Sequence, residues 1–246
     1  QGAGKYTAVA GIAELRAAAA AELSAVHDLK LGPENILVST GAKHSIYNLL
    51  MALLDDGDEV IVPTPCWPSH VELVRMAGGV PVLAEQRSED GFQLDPELLG
   101  RLLTKRTRAL MLNSPSNPTG AVYNEASLLA LAAVIRDRGG PDLLIITDDL
   151  YRRLVYAPTV WASLCRVAPD LSGRTLLIDG ASKTYAMTGW RIGFCAGPRP
   201  LLEAMQALQG QVTTNATTIA QHAALAALTG DQAPVEAMRA EFDERR

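Results

Sequence analysis

The sequence predicts an α/β domain of three layers, with a mostly parallel seven-stranded sheet covered by helices on both faces. Short apolar runs without polar alternation recur along the chain, as in strands buried on both sides, and amphipathic helical stretches separate them. The segments richest in reactive side chains also fall just past the carboxyl ends of those runs, where open parallel sheets bind ligands. With 246 residues, 48% of them apolar, the chain is long enough for one such core.

Residues 12–29 are Ala-rich with apolar positions at helical spacing, and Gly32-Pro33 punctuates their end. A strand at 36–38 leads through Gly41-Ala42-Lys43 into a helix at 44–54. Asp56-Gly57 turns the chain into a strand at 59–62, which Pro63 and Pro65 are expected to stop. Helices at 69–77, 96–103 and 125–138 then alternate with strands at 80–83, 108–112 and 143–147. The last strands are expected at 175–178 and 191–196, with helical patterns at 200–209 and 217–228, and the chain stops at 244–246 inside a helix.

A net charge of −5 leaves no electrostatic footprint for nucleic acid or an anionic membrane. No apolar run approaches the ~20 residues needed to span a bilayer. Cys66, Cys165 and Cys195 form no CxxC pair, and His27, His44, His70 and His222 show neither HxxxH nor HxH spacing. Reduced thiols and no metal site are therefore expected. Gln1–Lys5 has no signal-peptide pattern, so the expected location is the cytoplasm. Gly2-Ala3-Gly4-Lys5 lacks the strand that precedes a phosphate-binding P-loop, and Tyr6 stands where that loop needs Ser or Thr.

The segment carrying the most chemistry is Gly180-Ala181-Ser182-Lys183-Thr184-Tyr185-Ala186-Met187-Thr188-Gly189-Trp190-Arg191-Ile192-Gly193. A lysine just beyond a buried strand can be partly desolvated, which favours its neutral, nucleophilic form. Arg191, eight residues on, can return as a fixed cation for a phosphate. Gly41-Ala42-Lys43 opens a helix, so the N–H groups of Ala42 and Lys43 can also bind phosphate. Asp148 ends an apolar run, a placement for an acid that suggests a cationic partner.

The lysine segment resembles the attachment signature of class I/II aminotransferases, enzymes of fold type I that use pyridoxal 5′-phosphate (PLP). Asn113-Ser114-Pro115-Ser116-Asn117-Pro118-Thr119-Gly120 is similar to that family's NPTG loop, and Thr147-Asp148-Asp149-Leu150-Tyr151 to its D-x-x-Y strand end. The likeness begins near Tyr6 and runs to the end of the chain. It implies that Lys183 forms a Schiff base with PLP and then acts as general base and acid, with Ser182 beside it in the cofactor site. Asp148 is implied to pair with the pyridinium nitrogen, Asn117 and Tyr151 to bond the phenolic oxygen, and Trp67 to stack on the ring. Cys66 stands where the family often has Tyr, which changes the pocket wall.

Tyr6 matches a tyrosine that reaches the PLP phosphate of the neighbouring subunit, which implies a homodimer with a shared active site. Lys43 matches a lysine that points at the substrate's distal carboxylate in the prokaryotic aspartate/prephenate aminotransferase branch; its alternative is a solvated or phosphate-neighbouring side chain. The implied reaction is amino transfer between an L-amino acid, aspartate or glutamate, and a 2-oxo acid. Alternatives on the same fold are a β-lyase, a cyclopropane-forming synthase, or a PLP-sensing domain of a transcriptional regulator. The resemblance further implies that residues 1–246 are the PLP-binding large domain, cut short of an N-terminal segment and a C-terminal small domain, and that this piece alone turns over negligibly.

Overall fold

The computed structural model describes residues 4–246, so Gln1, Gly2 and Ala3 of the glycine-rich start lie outside it. Its strands are β1 (Ile36–Ser39), β2 (Glu59–Thr64), β3 (Val80–Glu85), β4 (Thr107–Asn113), β5 (Leu144–Asp148), β6 (Thr175–Gly180) and β7 (Gly193–Ala196). They form one sheet in the order β1-β7-β6-β5-β4-β2-β3. All neighbouring pairs are parallel except the two made by β7, which runs antiparallel to both β1 and β6.

The helices are α1 (Ala13–His27), α2 (Ala42–Leu53), α3 (Pro68–Met76), α4 (Pro96–Leu102), α5 (Glu125–Arg138), α6 (Leu164–Val167), α7 (Arg199–Val212), α8 (Thr218–Thr229) and α9 (Ala233–Arg245). Alternation along the buried strands sends successive side chains to opposite faces. Leu37 packs with α2 and α7 through Ile46, Leu49, Leu202 and Met205, whereas Ile36 and Val38 pack with α1 and α8 through Leu15, Leu23 and Ala220. On that second face α4 and α5 continue the layer over Ile61, Leu110 and Ile145. The sheet is thus covered on both sides, as the unbroken apolar strands require.

Two expectations need correction. The second strand does not stop at Pro63 but runs on to Thr64. Odd-numbered residues of β2 donate toward β4, as Glu59 N does to Arg106 O, while the even-numbered Thr64 accepts from Gln86 on the β3 side. Pairing with β4 ends at Ile61, so the missing N–H of Pro63 falls where no ladder bond is needed. The last strand, expected from residue 191, begins at Gly193, because Arg191 adopts a left-handed conformation (φ 50°) after a short turn at Thr188–Trp190.

No described helix is long and apolar enough to cross a membrane, and among the described residues no cluster of three His, Cys, Asp or Glu side chains could hold a metal. The three cysteines are free thiols.

His27, at the end of α1, is fully enclosed, with Nδ1 2.9 Å from Ser163 Oγ and its ring edge-on to Trp161. Burial, helped by the Arg152 and Arg166 charges, lowers its pKa from 6.5 to about 3. An unfolded His binds a proton as pH falls below 6.5 while the folded one does not, so this group's contribution to stability is complete above pH 6.5 and is lost toward pH 3. The loss is about 1.4 kcal/mol per pH unit at its steepest. His27→Gln, which can still bond Ser163, is expected to flatten the fall in urea-unfolding free energy between pH 6 and 4 by roughly that slope. Parallel curves for the two proteins would contradict the assignment.

Candidate active site

The loops after β1, β2, β4, β5 and β6 all emerge at one edge of the sheet, because those strands are parallel. The reversed β7 begins at that same edge, which is what brings Arg191 back to it. Between these loops lies a cavity of about 260 Å³ lined by Ala42, Lys43, Trp67, Asn117, Asp148, Tyr151, Ser182, Lys183 and Arg191. Ile46, Asn113, Leu150 and Thr188 complete its wall. Nine of the ten side chains singled out from the sequence therefore share one cavity. Tyr6 does not; it is 87% exposed.

At the cavity's centre Asp148 ends β5 and is almost fully buried. Its Oδ2 accepts from His70 Nε2 at 3.3 Å and its Oδ1 from Leu150 N at 3.4 Å. His70 had no distinguishing signal in the sequence. It reaches Asp148 because Trp67 and Pro68 start α3, and the first turn swings His70 inward while Trp67 faces the cavity; the two rings meet edge-on at 5.4 Å. Asp149 points to the other sheet face and is also buried. Burial first, then the charges of Asp179 and Asp148, push its carboxyl well above the usual range against the opposing pull of Thr147 and Arg152. That direction favours the neutral acid at 149.

The Asn117 loop is tied to the Asp148 strand by Asn113. Asn113 Nδ2 donates to Asp148 O at 2.9 Å, and its Oδ1 accepts from Asn117 N at 2.8 Å. Lys183 lies across the cavity, half-buried, with Nζ 5.5 Å from the centre of the Tyr151 ring. At the mouth, Lys43 Nζ sits 4.5 Å from the centre of the Trp67 ring.

The remaining end of the cavity is an anion cradle. Gly41 caps α2 without any side-chain bond, so the N–H groups of Ala42 and Lys43 open the helix without intrahelical acceptors. Gly41 sits at φ 93°, and a Cβ there would lie 2.6 Å from Arg191 Nη2. A Cβ at Gly193 would lie 2.5 Å from Ala42 N. Glycine at both positions lets β7 and the start of α2 approach until the guanidinium reaches the helix N-terminus, and Arg191 Nη1 is steadied by donating to Thr188 O at 2.7 Å. The donors suit a phosphate. The other end, with an amine, a buried carboxylate and an aromatic face, suits a protonated heteroaromatic aldehyde. The residues present thus fit PLP.

A three-layer sheet with these groups at its carboxyl edge defines a class, and the chain belongs to it: the model of the family "Aminotransferase class I and II" matches residues 1–246. Among relatives, the chain is 43% identical over 241 residues to an aspartate aminotransferase of Geobacillus stearothermophilus, covering 98% of this chain and 61% of the relative. It is 45% identical to an aspartate/prephenate aminotransferase of Nitrosomonas europaea, covering 98% and 60%. Among solved structures, the Thermus thermophilus aspartate aminotransferase with maleate superposes with a TM-score of 0.93 at 44% identity, covering 100% of this chain and 63% of that one. The chain thus spans about three fifths of the length of the relatives it matches.

Proposed function

We propose that the full-length protein containing this chain is a PLP-dependent aminotransferase that moves an amino group between an L-amino acid, aspartate or glutamate, and a 2-oxo acid. The observation that carries this reading is the meeting of Lys183, Asp148, Tyr151, Asn117 and the Arg191–α2 anion cradle in one cavity. When bound, the cofactor supplies an electron sink for the substrate's α-carbon. Residues 1–246 are its PLP-binding large domain in this reading.

Each side chain then has a role. The Ala42 and Lys43 N–H groups, Arg191 and Ser182 hold the phosphate. Asp148, its carboxylate oriented by His70 and the Leu150 N–H, keeps a proton on the ring nitrogen. Asn117 and Tyr151 donate to the phenolic oxygen, and Trp67 covers one ring face. Lys183 Nζ would hold the cofactor and, as a free amine facing the substrate, would take the proton from the substrate's α-carbon and give it back. Lys43, exposed at the mouth, meets the distal carboxylate of a dicarboxylic substrate; the Thermus relative solved with maleate, itself a dicarboxylate, supports that choice. The protein acts as a homodimer in which Tyr6, almost wholly exposed, reaches the cofactor phosphate of the second copy.

The test is to mix full-length protein, PLP, L-aspartate and 2-oxoglutarate and follow oxaloacetate and glutamate. Their stoichiometric formation supports transfer, whereas no glutamate from aspartate together with release of pyruvate, ammonia and sulfide from L-cysteine, which carries a β leaving group, would show a lyase, and no cofactor binding would sink the reading. In the same assay Lys43→Ala is expected to raise KM for aspartate about tenfold with kcat nearly kept, and to leave KM for alanine unchanged. Equal effects on both donors would remove Lys43 from substrate selection.

A further inference from the structure

The turn after β5 presents three consecutive long side chains, and only Tyr151 faces the cavity. Arg152 goes beneath the sheet edge and is nearly buried. Its Nε donates to Asp179 Oδ2 at 2.9 Å and its Nη2 to Glu22 Oε1 at 2.6 Å. The other Asp179 oxygen accepts from Gly180 N at 2.7 Å, so this aspartate holds the entry to the Gly180–Lys183 turn. Arg153 reaches the exit of the same turn. Its Nη1 donates to Tyr185 OH at 3.2 Å and to Gln232 Oε1 at 2.8 Å, and Tyr185 OH donates to that same Gln232 oxygen at 3.1 Å.

Gln232 is itself fixed. Its Nε2 donates to Ala227 O at 3.0 Å and Gly230 O at 2.8 Å, at the corner between α8 and α9. Lys183 therefore lies between two anchors, Asp179 four residues before it and Tyr185 two residues after it, each tied to an arginine that directly follows Tyr151. Within the turn, Tyr185 N donates to Ala181 O and Ala186 N to Lys183 O, which transmits the anchoring to the lysine's own backbone.

We propose that Arg152 and Arg153 are positioning residues: by clamping both flanks of the Lys183 turn onto the Tyr151 turn, they set the separation of the Lys183 amine from the Tyr151 hydroxyl. Neither arginine lines the cavity. Two separate turns must hold their reactive atoms in register, and a bidentate, planar guanidinium suits that task because few rotamers satisfy both partners. The role of Lys183 and Tyr151 rests on the aminotransferase reading above; the clamp itself rests on the geometry.

Arg152→Ala leaves the buried Asp179 without its cation and endangers folding, so the test uses Arg153. In full-length protein without cofactor, amide hydrogen exchange in residues 180–187 is expected to quicken by about tenfold in Arg153→Ala while the β4 and β5 strands stay protected. Unchanged exchange would overturn the clamp whatever the protein's function. With PLP bound, Arg153→Ala is expected to lower kcat about tenfold, to change KM less than about twofold, and to move the pH midpoint of the Lys183-dependent absorption band. Arg153→Lys, which keeps a cationic donor, should recover most of the loss, and Tyr185→Phe should reproduce part of it. Faster exchange with an unmoved midpoint and kcat would overturn the positioning role. An unaltered protein showing no Lys183-dependent band would overturn the aminotransferase reading and the positioning role with it, a result distinct from a failed clamp.

Discussion

Lys183→Ala in the full-length protein is expected to abolish the visible absorption band of bound PLP and to lower kcat by about four orders of magnitude or more. In the proposed function one side chain would supply both the covalent hold on the cofactor and the proton relay at the substrate's α-carbon, which leaves no second group in the cavity to replace it. Asp148 is occupied by His70 and the Leu150 N–H, and Lys43 stands at the mouth beside Trp67. The same substitution should leave folding nearly untouched, since Lys183 forms no ion pair among the described residues and is only half-buried. Absorption, turnover and thermal unfolding of the variant together check this. Turnover above about one hundredth of the unaltered rate would take Lys183 out of the central role.

Asp148→Asn should separate function from stability even more clearly. The carboxylate is buried at the end of β5, held by His70 and the Leu150 N–H, and among the described residues no lysine or arginine pairs with it. Without a bound cation it therefore costs the empty protein free energy, and its isosteric amide is expected to raise unfolding stability by about 1 kcal/mol. A desolvated partner for the protonated ring nitrogen, by contrast, contributes about 2–5 kcal/mol, so kcat should drop by about two to three orders of magnitude. Asp148→Glu keeps the charge but not its position, and should recover only part. A variant that loses stability and activity in proportion would mark Asp148 as a packing residue instead. His70→Phe tests the support behind it through the same kcat readout.

Both expectations concern residues that were already visible in the linear chain, and the reason is local. Asp148 ends an apolar run, Lys183 and Asn117 lie three and four residues past the ends of two others, and a run of that kind needs only neighbouring residues to declare itself a buried strand. The ends of α5 were legible in the same way: Asn124 accepts from Ser127 N at 2.9 Å, and the helix runs over the predicted residues 125–138. His70 was not legible, because its partner lies 78 residues away and a histidine on an amphipathic helix carries no mark of what it faces. Arg152 and Arg153 read as ordinary surface cations until the turns that hold Asp179 and Tyr185 are folded beside them.

By itself the sequence determined the alternation of buried strands and amphipathic helices, the carboxyl-edge placement of the reactive loops and the family signature around Lys183, all of which depend on residues close together in the chain. Only the tertiary structure decided the order β1-β7-β6-β5-β4-β2-β3, the reversal of β7 and the passage of β2 through Pro63. Those features follow from which strand lies next to which, and hence from long-range packing and ladder hydrogen bonds that no local pattern records. The reversal of β7 puts Arg191 at the same edge as the carboxyl ends of its neighbours, and the two glycines then admit it to the start of α2, so the anion cradle belongs to the folded sheet and not to any one segment of the chain.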